Sequence, residues 1–372
     1  MNKNNTHQLI DRLIDRVSSD TTDTMAAPGI DTPDIFTDPV RFAKEREQFF
    51  LNTPQVIGFA GEVAANNSFM TAECMGIPIV VTRDDSGMLR AFINACGHRG
   101  AKVASGHGSK KRLTCGFHGW SYALNGELAG RPKDDCFASD KQDCGLVQLP
   151  VSDRSGLLVV GLRPGIEQSL VDHALDDIAD EFAGFDFDKL HTLETRRYDV
   201  AANWKLVTSL SHEGYHFANL HRDSLAPMMT SHGVVDEFGI HTRWAFALKG
   251  IENLADKDKA HWPERFPGAM NHTIFPGTVI VVNPGDAQII RAEPGATPGT
   301  SVVYYSGTCS DIDKREESLQ TYAFGGDIFS KEDLPAAEQC QQGLAATGRP
   351  MRIGKNEPVV QMWHQRWKSE LK

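Results

Sequence analysis

No apolar run in the chain approaches the ~18 residues needed to span a bilayer, so no membrane partner is expected. No block of Lys or Arg stands out and the formal net charge is -11. That excludes nucleic acid as an expected partner, while an acidic surface suits a basic protein. The first residues lack the apolar core of a signal peptide. There is no Gly-x-Gly-x-x-Gly fingerprint for a dinucleotide and no Cys-x4-Cys-x2-Cys ferredoxin run. The chain therefore does not draw electrons from NAD(P)H by itself. Cysteine is scarce, with seven in 372 residues. They are Cys74, Cys96, Cys115, Cys136, Cys144, Cys309 and Cys340. An odd count in a long chain is no disulfide framework. It fits a cytoplasmic protein with some thiols on metal.

What remains is an ordinary globular composition, 40% hydrophobic and 23% charged, long enough for two or three domains. Leu9, Ile10, Leu13, Ile14 and Val17 recur at helical spacing between charged residues, which predicts an amphipathic helix suited to docking or oligomer contact. Residues 20–40, rich in Asp, Thr and Pro, read as an irregular lead-in. From about 54 to 162 the text is β-like. Ile77–Val81 and Leu89–Ile93 flank the turn Asp84-Asp85-Ser86-Gly87, Asn125-Gly126 is a hairpin signal, and Leu157–Leu162 is a further strand. Ile166, Leu170, Leu175, Ile178 and Phe182 then switch to helical spacing and predict the passage into a second domain. That domain mixes helices (about 204–220 and 331–345) with strands (about 192–200, 241–249, 277–283, 287–292 and 301–308), an α+β pattern.

Two motifs carry chemistry. The first is Cys96-Gly-His98-Arg99-Gly100 followed by Cys115-Gly-Phe-His118-Gly-Trp120, with sixteen residues between His98 and Cys115. Each pair offers one thiolate and one imidazole beside glycines that allow tight turns. A structural zinc finger usually pairs Cys with Cys and His with His. A Rieske [2Fe–2S] cluster needs two Cys on one iron and two His on the other. Neutral His ligands raise its potential to about −150 to +300 mV, against about −400 mV for all-Cys plant-type clusters. His107, lacking a partner at ligand spacing, reads as a loop histidine.

The second motif supports two readings. His212-Glu213-x-x-His216 matches the zinc-peptidase pattern H-E-x-x-H, with Asp236 or Glu237 as third ligand. Alternatively His216 and His221 pair, with a bend or end of the helix between them, and a carboxylate from elsewhere completes the two-His, one-carboxylate set of a non-haem Fe(II) site. An electron-relay cluster has no use in a peptidase, whereas iron that activates O2 needs electrons one at a time. The second reading is therefore preferred. A Rieske electron carrier without catalytic iron is a third reading, weakened by the large second domain.

With these residues in place, the chain resembles the catalytic alpha subunits of Rieske non-haem iron oxygenases, the ring-hydroxylating family. The resemblance runs through Cys-x-His-Arg-Gly, Cys-x-x-His-Gly-Trp, Asn203-Trp-Lys, and acid-x-Tyr-His-x4-His. It implies a small antiparallel β Rieske domain (51–164) and a larger, helix-grip-like α+β catalytic domain (165–372) on which an N-terminal helix and lead-in (1–50) pack. It implies Cys96, His98, Cys115 and His118 on the cluster, His216 and His221 on the iron, and Glu213 as the inter-site electron bridge. The third iron ligand falls on Asp333, from an Asp followed five residues later by Glu338-Gln339, with Glu332 and Asp327 as rivals. Ser330 and Asp333 also read as a helix N-terminal cap. It further implies O2 as co-substrate, a separate reductase using NAD(P)H, with or without a ferredoxin, and a homotrimer compatible with a beta subunit. The substrate is expected to be a small, aromatic compound, hydroxylated, dihydroxylated or demethylated. Phe217, Trp244, Phe246, Ile274 and Phe275 are candidate lining, and Arg222, Arg243 and Arg291 candidate partners for a substrate carboxylate.

Overall fold

The computed structural model describes residues 3–372 and divides them into two units. The smaller holds residues 50–179 and 186–191, and the larger holds the residues up to Phe49, 180–185 and 192–372. Residues 165–179, expected to open the second domain, thus fold with the smaller unit. Their helical spacing yields only Gln168–Asp172 and a 3-10 turn, Asp176–Ile178. This stretch is tied to the strand Val151–Arg154: the Gln168 amide donates to the Val151 carbonyl (3.0 Å) and Arg154 pairs with Asp176.

In the smaller unit, antiparallel strands Gln148–Leu149, Leu89–Ile93, Ile77–Arg83, Ser68–Cys74 and His107–Ser109 form one sheet in that order. A three-stranded sheet joins Val151–Arg154, Leu157–Val160 and Gln55–Phe59. Another joins Arg112–Thr114, Ser121–Ala123 and Leu128–Gly130. The two expected turns form for local reasons. Asp84 Oδ1 accepts from the backbone N–H of Ser86 (3.0 Å) and Met88 (2.9 Å), an Asx-type turn. Gly126 takes φ +89°, and a Cβ there would lie 2.4 Å from the Phe92 ring, so only glycine fits.

The larger unit is built on a seven-stranded sheet ordered His191–Val200, Ser301–Cys309, Ala287–Pro294, Thr278–Val282, Gly268–Ile274, His241–Leu248, Met229–Phe238. Gly268–Ile274 carries no apolar-run signal, because Asn271, His272 and Thr273 interrupt it, yet every residue in it is buried. Its polar members are partnered instead. Asn271 donates to the Ser211 carbonyl (2.9 Å), and His272 Nε2 lies 3.0 Å from Glu181 Oε1.

The helix Lys3–Ser18 buries Leu9, Ile10, Leu13 and Ile14 within this same unit, against Met229–Phe238 and Ile251–Leu254. Its apolar stripe is therefore covered by its own chain and is no free docking surface. The helix expected over 204–220 ends at Ser209. Asn203 caps its start by accepting from Lys205 N–H (3.0 Å), but Thr208 and Ser209 turn their hydroxyls back onto the carbonyls of Trp204 and Lys205 (2.9 and 2.8 Å). Such bonds weaken a helix, and residues 210–228 run on as successive turns. Conversely, a helix begins well before 331. Arg315–Ile328 passes through a π-helical turn, Phe329–Asp333, into Leu334–Thr347. Ser330 is consequently no N-terminal cap, and its hydroxyl donates to the Gly326 carbonyl inside the helix (2.7 Å).

Beneath the sheet, Arg243 donates to Glu181 (2.6 Å) and Asp236 (2.7 Å), and Arg12 also reaches Asp236 (2.7 Å). Burial alone would raise the Glu181 carboxyl. The His272 hydrogen bond and the Arg243 charge outweigh it and hold the pKa down to about 2, against 4.5 unperturbed. The folded value lies below the unfolded one, so this stabilisation is complete above about pH 4.5 and is lost as the pH falls towards 2. Glu181→Gln is expected to remove roughly 3 kcal/mol at neutral pH. It should also flatten the loss of stability between pH 4.5 and 2, read as urea midpoints across that range.

Candidate metal centres

In the smaller unit, the two Cys/His segments fold as near-copies. The N–H of Cys96 donates to the Ala101 carbonyl and that of Cys115 to the Trp120 carbonyl, both at 2.8 Å. Gly100 and Gly119 close the loops back onto the Cys96 and Cys115 carbonyls, each at φ +75°. Both thiols are buried. The His98 ring stacks on Trp120 (5.0 Å, 8°) and meets the His118 ring edge-on at 4.6 Å. His98 Nδ1 is buried without a hydrogen-bond partner, the state of a nitrogen reserved for metal. The sequence reading missed Tyr122. Its hydroxyl lies 3.1 Å from Cys96 Sγ and accepts from Gly97 N–H (2.9 Å), and hydrogen bonds to ligand sulfur tune a cluster's potential.

In the larger unit, His216, His221 and Asp333 converge, with donor atoms all within 4.8 Å of one another. This is the one such group among the described residues. Asp333 Oδ1 lies 3.1 Å from His221 Nε2 and 3.8 Å from His216 Nε2. It is buried yet makes no hydrogen bond, as befits ligands awaiting a shared ion. The far nitrogen of each ring is held by an acid. His216 Nδ1 lies 2.5 Å from Glu213 Oε1, and His221 Nδ1 2.7 Å from Glu332 Oε2. A carboxylate on Nδ1–H leaves the Nε2 lone pair facing the metal position. Burial works against a proton on His221, but Asp333 and Glu332 outweigh it and raise its pKa, so the position favours positive charge.

The rivals separate cleanly. Glu332 faces the back of His221 and also accepts from Ser224 (2.8 Å). Asp327 is taken by Lys331 (2.8 Å) on the surface. His212 is fully buried, 3.1 Å from the Thr273 hydroxyl and stacked on Trp363 (5.7 Å, 25°). It takes no part in the ligand group, because the helix that would have aligned it with His216 has already ended. The H-E-x-x-H arrangement therefore does not form, and Asp236, held by Arg12 and Arg243, is no third ligand.

A cavity of 710 Å³ is lined by His216, His221 and Asp333. Phe217, Trp244 and Phe246 line it as expected, but Ile274 and Phe275 do not. Phe275 packs between Phe49 (5.0 Å) and Trp363 (6.2 Å) instead. None of the three arginines reaches the cavity. Arg243 serves Glu181 and Asp236, Arg291 is buried against Glu293 (2.6 Å), and Arg222 is exposed beside Asp223.

Two family models match: the Rieske [2Fe-2S] domain over residues 53–149, and the catalytic domain of the ring hydroxylating alpha subunit over residues 187–372, half of the chain. The chain belongs to the ring hydroxylating alpha subunit family. It is thereby a Rieske-type oxygenase, and the family's cofactors are a [2Fe–2S] cluster and a mononuclear iron used with O2. Glycine betaine monooxygenase oxygenase subunit from Chromohalobacter salexigens is 28% identical over 234 residues, 62% of this chain and 50% of that protein. The match thus spans about half the length of that relative. Carnitine monooxygenase oxygenase subunit from Acinetobacter baumannii is 25% identical over 329 residues, 84% of this chain and 85% of that protein. Anthranilate 1,2-dioxygenase large subunit from Acinetobacter baylyi is 33% identical over 197 residues, 50% and 41% respectively. The crystal structure of the quaternary ammonium Rieske monooxygenase CntA with L-carnitine superimposes with a TM-score of 0.76 at 21% identity, covering 92% of this chain and 96% of that one. At that identity the likeness is one of fold.

The donor set fits both cofactors of the ring hydroxylating family: thiolate and imidazole for the cluster, imidazole and carboxylate for Fe(II). Glu332→Ala frees His221 Nδ1 and is expected to weaken iron retention about 10–100-fold. The check is iron per chain after brief exposure to a mild chelator, with the visible [2Fe–2S] spectrum unchanged.

Proposed function

We propose that the chain is the terminal oxygenase component of a multicomponent system. It would use O2 and electrons from a separate reductase, with or without a ferredoxin, to hydroxylate or oxidatively demethylate a small organic molecule. One observation carries this reading: the His216, His221 and Asp333 donors meet at the wall of a 710 Å³ cavity. Cys96, His98, Cys115 and His118 would hold the cluster, and the other three would hold Fe(II). Bound there, the cluster supplies single electrons and the iron activates O2.

The chain's own residues have distinct tasks in this reading. Glu213 and Glu332 fix the tautomer and tilt of the two imidazoles. Phe217, which packs against both His216 (5.1 Å) and His221 (5.6 Å), keeps water from the ligand face. Glu213 is also the proposed electron bridge between a cluster in a neighbouring copy and His216, within a homotrimer compatible with a beta subunit. The missing dinucleotide fingerprint is the reason to propose a separate NAD(P)H-using reductase. The absence of a disulfide among the described residues suits a cytoplasmic setting. An aromatic substrate fits the walls, but the cavity offers no Lys or Arg to an aromatic acid.

The test is anaerobic purification with iron, zinc and acid-labile sulfide measured per chain. About three irons, two sulfides and little zinc are expected; zinc without sulfide would sink the reading. In the same assay Asp333→Ala should lose about one iron and keep both sulfides. Glu213→Gln should keep both metals yet lose most turnover, and near-normal turnover would rule out the bridging role.

A further inference from the structure

The cavity holds one acid that the iron site does not use. Asp286 sits between the strands Thr278–Val282 and Ala287–Pro294 and lines the same space as His216, His221 and Asp333. Asn283 Nδ2 donates to its Oδ1 (2.8 Å). Among the described residues this is the carboxylate's one side-chain partner, and no Lys, Arg or His pairs with it. The backbone does not neutralise it either: the loop's hydrogen bond runs from Asn283 N–H to the main-chain carbonyl of Asp286 (3.0 Å). Burial pushes its pKa up, and the Asn283 bond offsets this only in part. Buried carboxylates elsewhere in this unit are served by cations: Glu181 by Arg243, Glu45 by Lys205, Glu293 by Arg291. Asp286, part-buried at the cavity wall, has no such cation, and unlike Asp333 on the same cavity it has no imidazole beside it among the described residues.

The rest of the lining has the matching character. Trp244, Phe246, Tyr305 and Phe324 supply aromatic surface, and no Lys or Arg contributes. Aromatic faces attract a cation and have nothing to offer an anion. A bound ligand with a positive nitrogen would provide the counter-charge that the fold withholds from Asp286, whereas a ligand carboxylate would meet a like charge in a poorly solvated space.

We propose that Asp286 is a specificity-determining residue that selects substrates bearing a cationic nitrogen, a protonated amine or a quaternary ammonium, and rejects those bearing a carboxylate. This rests on reading the cavity as the oxygenase's substrate site. It departs from the carnitine and glycine betaine of the relatives, each of which carries a carboxylate as well as a quaternary nitrogen.

The experiment is calorimetric titration of the full chain with three probes of similar shape: benzyltrimethylammonium, its uncharged carbon isostere neopentylbenzene, and phenylacetate. The cation is expected to bind at least about tenfold tighter than the neutral isostere, a factor set by one ion pair with cation–π support, and the anion weakest. D286N should abolish the preference while leaving the affinity for neopentylbenzene unchanged, which also reports an intact cavity. D286E should retain it. Equal binding of cation and isostere by the native chain, or a preference surviving in D286N, would overturn the assignment. Iron and sulfide measured on the same samples keep the two ideas apart. A cation preference without the mononuclear iron would uphold Asp286 and sink the oxygenase reading, while correct metal content without the preference would do the reverse.

Discussion

The chemistry of the larger unit depends on two carboxylates holding the Nδ1 protons of two histidines. A free imidazole can flip and exchange tautomers. With Glu213 on His216 and Glu332 on His221, each ring presents Nε2 to the side where Asp333 waits. Without these acids the same three ligands could be present and still fail to converge. Much of the surrounding architecture can be understood as the means of fixing five side chains from two segments that lie more than a hundred residues apart in sequence.

That fixing is done by backbone donors. The strand ending at Val200 and the helix starting at Trp204 are joined by three residues, two of whose N–H groups would otherwise go unpaired. Glu338 accepts from Ala201 N–H (2.9 Å) and Gln341 from Asn203 N–H (3.0 Å). Both acceptors lie on the helix that continues from Asp333, so the segment leading to His216 and the helix next to Asp333 are locked together. The π-helical turn Phe329–Asp333 contributes in another way. Widening the helix there turns Glu332 to the back of His221 and Asp333 to its front, so that adjacent acids serve one ring from opposite sides.

How much of this could be read beforehand follows from locality. The cluster loops were legible because ligand, turn glycine and closing hydrogen bond all lie within six residues. Strands such as Ser301–Cys309, a local run rich in β-branched and aromatic residues, were legible for the same reason. The grouping of Asp333 with His216 and His221 was legible only through the family resemblance, since nothing local separates Asp333 from Glu332 next to it. Tyr122 was invisible as a partner of the loop residue Cys96, being 26 residues away on the strand Ser121–Ala123. The helix expected across 204–220 failed because two hydroxyls compete for its carbonyls, an effect that periodicity does not register. Gly268–Ile274 was hidden because its polar residues are paid off by distant partners, above all Glu181. The same pairing removed Arg243 from the list of substrate contacts: a sequence displays its cations but not which acids have already claimed them.

The distribution of charge gives the most general account of the larger unit. Beneath the sheet, acids and bases are matched, and Arg12, Asp236, Arg243, Glu181 and His272 form a connected series that leaves little net charge. Around the ligand group the matching is withheld. Glu213, Glu332 and Asp333 surround two imidazoles with no Lys or Arg among them. Glu357, whose pKa is raised by burial and then by the Glu213 charge, adds to the excess. A fold able to pair Glu181 twice over has the means to pair these acids as well. The unmatched negative charge is therefore the feature that makes the position favour a dication, and it explains why truncating Glu332 is expected to be felt as lost metal rather than as a lost fold.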